Sequence, residues 1–129
     1  MMRLFHEATV LVVDDDVTIR LLLSAGLGKQ GFRVVEADSG EAGLAQFRSR
    51  RPDLVLIDVS MPGIDGYQLA RMMRAEAAER AVPLVMLTGS DDPQTRRLGL
   101  EAGACEVLLK PFQLLPLAER LQALLSASA

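Results

Sequence analysis

The stretch VLVVDDDVTIR, Val10 to Arg20, sets four apolar residues directly against three aspartates. Val10, Leu11, Val12 and Val13 run without alternation, the pattern of a strand covered on both faces. Like charges crowded at the mouth of such a strand repel one another and raise one another's pKa values. A cation close by would offset that repulsion. The stretch therefore points to a buried sheet with chemistry at its strand ends.

Working outward, this run is the first of a series. TVLVV (Thr9 to Val13), FRVVEA (Phe32 to Ala37), DLVLI (Asp53 to Ile57), VPLVMLT (Val82 to Thr88) and CEVLLK (Cys105 to Lys110) all read as strands. Helical patterns lie between them. The first, from Thr18 to Lys29, repeats Ile19, Leu22, Leu23 and Leu27. The second follows Asp38-Ser39 and turns Leu44 and Phe47 inward. The third runs from Asp65 to Glu76 with Leu69, Met72 and Met73 on its inner face. The fourth takes Asp92 as cap, Pro93 in its first turn and Gly103 at its end. The fifth, from Leu114 onward, carries Leu117, Leu121, Leu124 and Leu125 and tolerates Pro116 in its first turn. Strands alternating with helices in this way imply an α/β fold with a parallel sheet covered on both faces.

The bounds are those of one domain, residues 1–129, with enough chain for a single sizeable core. A net charge of −3 gives no reason to expect direct nucleic-acid or anionic-membrane binding. Arg48, Arg50 and Arg51 read as a solvated helix end. One cysteine, Cys105, excludes an internal disulfide and fits a reducing compartment. MMRLFHEATV has an acid and a histidine where a secretory signal needs an apolar core. No apolar run reaches the roughly 20 residues that span a bilayer. A cytoplasmic location is the resulting expectation. His6 reads as a surface histidine, Cys105 as a structural thiol at the start of a buried strand, Tyr67 as packing, and Met61, Met72, Met73 and Met86 as core fillers.

In a doubly wound sheet, ligands bind beyond the carboxyl ends of the strands. Asp14, Asp15 and Asp16 follow the first strand, and Asp58, Val59 and Ser60 the third. Thr88-Gly89-Ser90 ends the fourth, and Lys110-Pro111-Phe112 the fifth. Carboxylates without a nearby histidine or cysteine favour Mg2+ over Zn2+. A carboxylate can also accept a phosphoryl group, whose charge the metal, a lysine, a hydroxyl and backbone N–H groups would meet. Asp16 is open between the metal site and capping the first helix, with Thr18 competing for the cap.

VVDDD, LIDVSMPGIDG, LTGS and KPF stand in order at the ends of alternating strands, and with them the chain resembles a CheY-like response-regulator receiver domain over nearly its whole length. The resemblance implies a flavodoxin-like (βα)5 three-layer sandwich with strand order 2-1-3-4-5. It implies that Asp58 accepts phosphate from a histidine kinase or phosphotransfer protein. Asp14, Asp15 and Asp58 would hold Mg2+, with the backbone carbonyl of Ser60 as a further ligand. Thr88 would be the switch hydroxyl, Lys110 the phosphoryl contact, and Lys110-Pro111 a cis bond. The fourth helix, fifth strand and fifth helix would be the output face, read by an output domain or effector or used in a phosphorylation-dependent homodimer. Ser60 and Ser90 would set the lifetime of the phosphoryl group. Such a protein is a switch that assists its own phosphorylation and dephosphorylation rather than a conventional enzyme.

Two positions depart from the family. Val107 stands where an aromatic residue is common, and Gly89 where alanine is frequent. Gly99 lowers helix propensity by roughly 1 kcal/mol against alanine and could loosen the fourth helix. Two other readings compete. A degenerate receiver would bind partners without phosphorylation. A haloacid-dehalogenase-like phosphatase would use Asp14-Asp15-Asp16-Val17-Thr18 as D-x-D-x-T, with Thr88 and Lys110 in later roles. That second family needs a further acidic pair beyond the lysine, where only Glu119 remains, buried in a helical pattern, and it leaves Asp58 unexplained.

Overall fold

The apolar runs and amphipathic stretches resolve, in a computed structural model describing residues 8–77 and 80–128, into ten alternating elements. The chain runs β1 (Thr9–Val13), α1 (Val17–Lys29), β2 (Arg33–Ala37), α2 (Gly40–Arg50) and β3 (Leu54–Asp58). It continues α3 (Gly66–Glu76), β4 (Leu84–Thr88), α4 (Pro93–Glu101), β5 (Glu106–Leu109) and α5 (Leu114–Ser128). His6 and the last residue of the SASA tail lie outside the described residues. All strand pairs are parallel, in the order β2-β1-β3-β4-β5.

The unalternating strands serve two cores at once. Leu11, Val13, Val55, Ile57, Leu84 and Met86 face one layer with Leu44, Phe47, Leu69 and Met73 of α2 and α3. Val10, Val12, Leu54, Leu56, Val85 and Leu87 face the other, with Leu23, Leu27, Leu117 and Leu121 of α1 and α5. Side chains alternate across a strand, so every strand residue must be apolar to fill both layers. β3 and β4 are buried along their whole length.

Helix starts follow the capping chemistry of the sequence. Ser39 Oγ accepts the Ala42 N–H at 3.1 Å. Asp65 and Gln68 form a reciprocal capping box on α3, and Asp92 accepts the Gln94 N–H ahead of Pro93. Gly103 takes φ +115° after α4.

Several side chains sit otherwise than expected. Leu22 is exposed, because the buried stripe of α1 is Leu23, Gly26 and Leu27, and Leu22 lies roughly 100° around the helix from Leu23. Met72 is likewise off the Leu69–Ala70–Met73 stripe of α3 and is exposed, whereas Met61, Met73 and Met86 are buried. Cys105 is exposed at the entry to β5, an edge strand, and its thiol donates to the Leu84 carbonyl at 3.5 Å. Glu119 faces solvent on α5. Tyr67 packs, partly buried, against the α2–α3 core.

Gly99 has a packing reason. A Cβ there would lie 2.6 Å from Val107 Cγ2 and 3.1 Å from Met86 Sδ, so the α4 backbone rests directly on the side chains of Val107 of β5 and Met86 of β4. Close approach, rather than weak helix propensity, accounts for glycine at this position.

Candidate functional site

The carboxyl ends of the strands deliver the predicted groups to one place. The Asp14 N–H donates to the Ala37 carbonyl at 3.1 Å, one residue beyond β1, which sinks Asp14 to 1% exposure. Its Oδ1 accepts the Asp16 N–H at 2.9 Å. Asp15 stays exposed. Asp16 is the cap of α1, accepting the N–H groups of Thr18 at 2.8 Å and Ile19 at 3.3 Å.

Asp58 is the last residue of β3 and is 7% exposed. Thr88 ends β4, is 6% exposed, and its Oγ1 accepts the Ser90 N–H at 3.1 Å. The Lys110 N–H donates to the Thr88 carbonyl at 2.7 Å, carrying the β4–β5 ladder to the site. Its Nζ lies 3.1 Å from Asp14 Oδ2 and 3.1 Å from Asp58 Oδ1. The Lys110–Pro111 bond is cis.

The loop between β3 and α3 is tied at both ends. Val59 donates to the Leu87 carbonyl and accepts from Gly66, each at 3.0 Å. Gly63 turns the loop at φ +76°. Ser60 and Ser90 are exposed beside the site, and Ser90 Oγ accepts the Asp92 N–H at 3.2 Å. Val107 is buried beneath a cavity of about 110 Å³ that Thr88, Arg96 and Leu109 also line.

Burial pushes the Asp58 carboxyl above its usual range. The Lys110 ammonium and the Ser60 N–H pull it back, while the charge on Asp14 adds to the rise. Burial alone would lower Lys110, but its bonds to Asp58 and Asp14 outweigh that and leave it raised.

Among the described residues, Asp14, Asp15 and Asp58 bring carboxylate oxygens within 4.8 Å of one another. Three carboxylates face one ammonium, which leaves two negative charges that a divalent cation would balance. The group contains no imidazole or thiolate, so the donor set fits a hard, oxygen-seeking ion such as Mg2+ and not Zn2+. Among the described residues no acidic pair beyond Lys110 joins it, and Glu119 faces solvent on α5.

One neighbour escaped the sequence reading. Arg20 Nη1 donates to the Asp14 carbonyl at 2.8 Å and Nε to Glu36 Oε1 at 3.3 Å. Its signal was slight: four residues after the Asp16 cap, it stacks over the helix start and so beside the acidic loop.

Residues 10–122 match the response regulator receiver domain family. The chain is 40% identical over 117 residues to the transcriptional regulatory protein AfsQ1 of Streptomyces coelicolor, covering 91% of this chain and 51% of that protein. It spans about half the length of such curated relatives. A putative response regulator from Chloroflexus aurantiacus superposes with a TM-score of 0.86 at 39% identity, covering 92% of this chain and 98% of the other. The chemotaxis protein CheY4 of Vibrio cholerae gives 0.85 at 34%, covering 90% and 97%. The strand order, the acidic strand ends and these similarities agree: the chain belongs to the response-regulator receiver domains of two-component signalling.

Proposed function

We propose that residues 1–129 act as a single receiver domain that switches on phosphorylation of Asp58. The observation that carries this reading is Lys110 Nζ at 3.1 Å from both Asp14 and Asp58, with Asp15 close by. An Asp58 oxygen attacks the phosphorus of a phosphohistidine, the P–N bond breaks, and its electron pair leaves with the imidazole. Lys110 neutralises charge on the phosphoryl oxygens, and the Ser60 N–H, already bonded to the Asp58 carboxylate, adds to this. Asp14, Asp15, Asp58 and the Ser60 carbonyl would hold Mg2+, which neutralises charge on the donor phosphate when bound. Ionised Asp58 is the nucleophile, so its raised pKa makes a nearby cation doubly useful.

Thr88 then turns its hydroxyl toward the phosphoryl group, exchanging the Ser90 N–H for a charged acceptor. Withdrawal of that side chain changes the cavity beneath α4, and the α4–β5–α5 face reports the change to an output domain, an effector or a second copy. Val107 has no ring to swing, so the report passes through the backbone contact at Gly99. Ser60 and Ser90, exposed at the rim, set water access and hence phosphoryl lifetime. Among the described residues no helix is long and apolar enough to cross a membrane. With a phosphohistidine donor, the working compartment is the cytoplasm.

Intact mass after incubation with acetyl phosphate tests the reading. The wild type should gain one phosphoryl group only with Mg2+, and Asp58→Asn should gain none. An adduct surviving in Asp58→Asn would move the acceptor to Asp14, and no adduct at all would leave a binding module.

Val17, Leu21 and Leu22 are each more than half exposed along α1, which starts beside the acidic loop. On this reading a donor histidine protein docks against this apolar face to reach Asp58. Leu21→Glu with Leu22→Glu should slow transfer from a phosphohistidine protein about tenfold, the loss of roughly 1.4 kcal/mol of docking. Loading from acetyl phosphate should be unchanged; equal slowing of both would remove α1 from the docking surface.

A further inference from the structure

We propose that Arg20 and Glu36 form a positioning pair that holds the Asp14–Asp15 peptide in the orientation needed to bind a divalent cation. The inference rests on the acidic site reading above. The loop after β1 is tied at three points on Asp14: its N–H to Ala37, its carboxylate to Asp16 and Lys110, and its carbonyl to Arg20. Asp15 is different. Among the described residues no hydrogen bond or ion pair holds its carboxylate. Its direction is therefore set by the backbone, and the peptide that enters Asp15 is the one whose oxygen Arg20 grips.

Arg20 is suited to that task. Its side chain is only 16% exposed, and the planar guanidinium spans two acceptors on different elements, the Asp14 carbonyl and Glu36 of β2. Two different nitrogens, Nη1 and Nε, make these bonds from one rigid plane, whereas a lysine would have to reach both acceptors from a single atom. Partners that orient ligands from behind in this way commonly change metal affinity 10- to 100-fold when removed.

Charge and position pull in opposite directions here. A guanidinium beside a cation site repels the cation, so deleting it should tighten binding if charge were its only effect. Glu36 offsets that repulsion, leaving the guanidinium free to act as a clamp. The sign of the mutational effect therefore separates the two roles.

The test is direct titration of the purified protein with Mn2+, following free Mn2+ by electron paramagnetic resonance, on wild type, Arg20→Met, Arg20→Lys, Glu36→Gln and Asp15→Asn. Arg20→Met should bind about tenfold more weakly although a positive charge has gone. Arg20→Lys should not recover the loss. Glu36→Gln should show a smaller loss that shrinks between 0.05 and 0.5 M salt, as an unscreened charge effect does. Thermal melts of each variant, with titrations run well below every midpoint, separate affinity from unfolding. Unchanged or tighter binding in Arg20→Met, or full recovery in Arg20→Lys, overturns the positioning role while leaving the acidic site intact. Wild type that binds no Mn2+, or binds it equally after Asp15→Asn, overturns the acidic site reading and this inference with it.

Discussion

Lys110→Met loses on the order of 2–3 kcal/mol of stability at pH 7 in EDTA, and Mg2+ restores most of it. Removing one partner of a fully buried pair costs about 3–5 kcal/mol, because the other charge is left unpaired. Lys110 retains some solvent contact, its side chain being 22% exposed, which places the loss below that range. Two nearly dry carboxylates, Asp14 and Asp58, then face each other without a cation, and Mg2+ supplies the missing charge. The pH dependence follows from the raised pKa values. Asp58 titrates above its unfolded value, so its ionisation costs stability that is fully present below the ordinary carboxylate range and lost as pH rises through its folded pKa. Lys110 titrates above its unfolded value too, so its contribution is present below the ordinary lysine range and lost as pH climbs through the folded pKa. The deficit of Lys110→Met should therefore narrow as acid neutralises Asp58, whose carboxyl is the one raised by burial. Urea melts from pH 4 to 8, with and without Mg2+, measure this. A deficit independent of both pH and metal would show that Lys110 acts through packing alone. Acetyl phosphate loading should fall about 100-fold in the same variant, as expected for loss of one charge-stabilising group.

Gly66→Ala has the largest expected effect on the scaffold, about 3 kcal/mol or roughly 10 °C in melting temperature. A Cβ at Gly66 would stand 2.5 Å from the Asp58 carbonyl oxygen and 2.8 Å from Val59 Cα. Both are backbone atoms at the strand end that carries Asp58, so neither can rotate away. The first turn of α3 must retreat instead, stretching the bond from Gly66 to Val59 and dragging the loop that holds Ser60. Phosphorylation should slow even at temperatures where the variant is folded. Gly28→Ala is the matched control, because nothing lies within 4 Å of the added methyl and the position is an exposed helical one. It should gain about 0.5–1 kcal/mol from helix propensity. Equal melting temperatures for Gly66→Ala and wild type would show that α3 is not seated as tightly as the geometry requires.

The element order and the residues at the strand ends were legible in the sequence because they rest on short-range signals. Apolar runs mark strands buried on both faces, and Asp16, Ser39, Asp65 and Asp92 mark helix starts by what their side chains can accept. Asp14, Asp58, Thr88 and Lys110 could be read together because a parallel sheet brings all its carboxyl ends to one edge. What was not legible depends on distances between elements. Leu22 and Met72 fit an apolar stripe by spacing, yet the helix rotation that seats Leu23 and Met73 turns them to solvent. Gly99 looked like a weak helix former and Gly66 carried no signal of its own, and only the approach of neighbouring strand residues shows why no side chain fits at either. Arg20 and Glu36 lie on α1 and β2, far apart in sequence, and only the packing of that helix against that strand brings them together. Strand limits moved for local reasons: Pro83 lacks a donor, and the Phe32 N–H closes the end of α1 on the Leu27 carbonyl instead of entering β2.

The strand order has an engineering consequence. Asp58 stands at the end of the central strand, with Thr88 on the next strand and Lys110 at one margin of the sheet, while β2 and α2 occupy the opposite margin. On the function proposed above the domain is lopsided: the β3–β4–β5 side would carry the acceptor and the relay, and β2 with α2 would stand as a frame away from the relay. A fluorophore or fused domain carried on the outward face of α2 would ride on that frame. The same cargo on α4 would load the moving half and weigh directly on the switch.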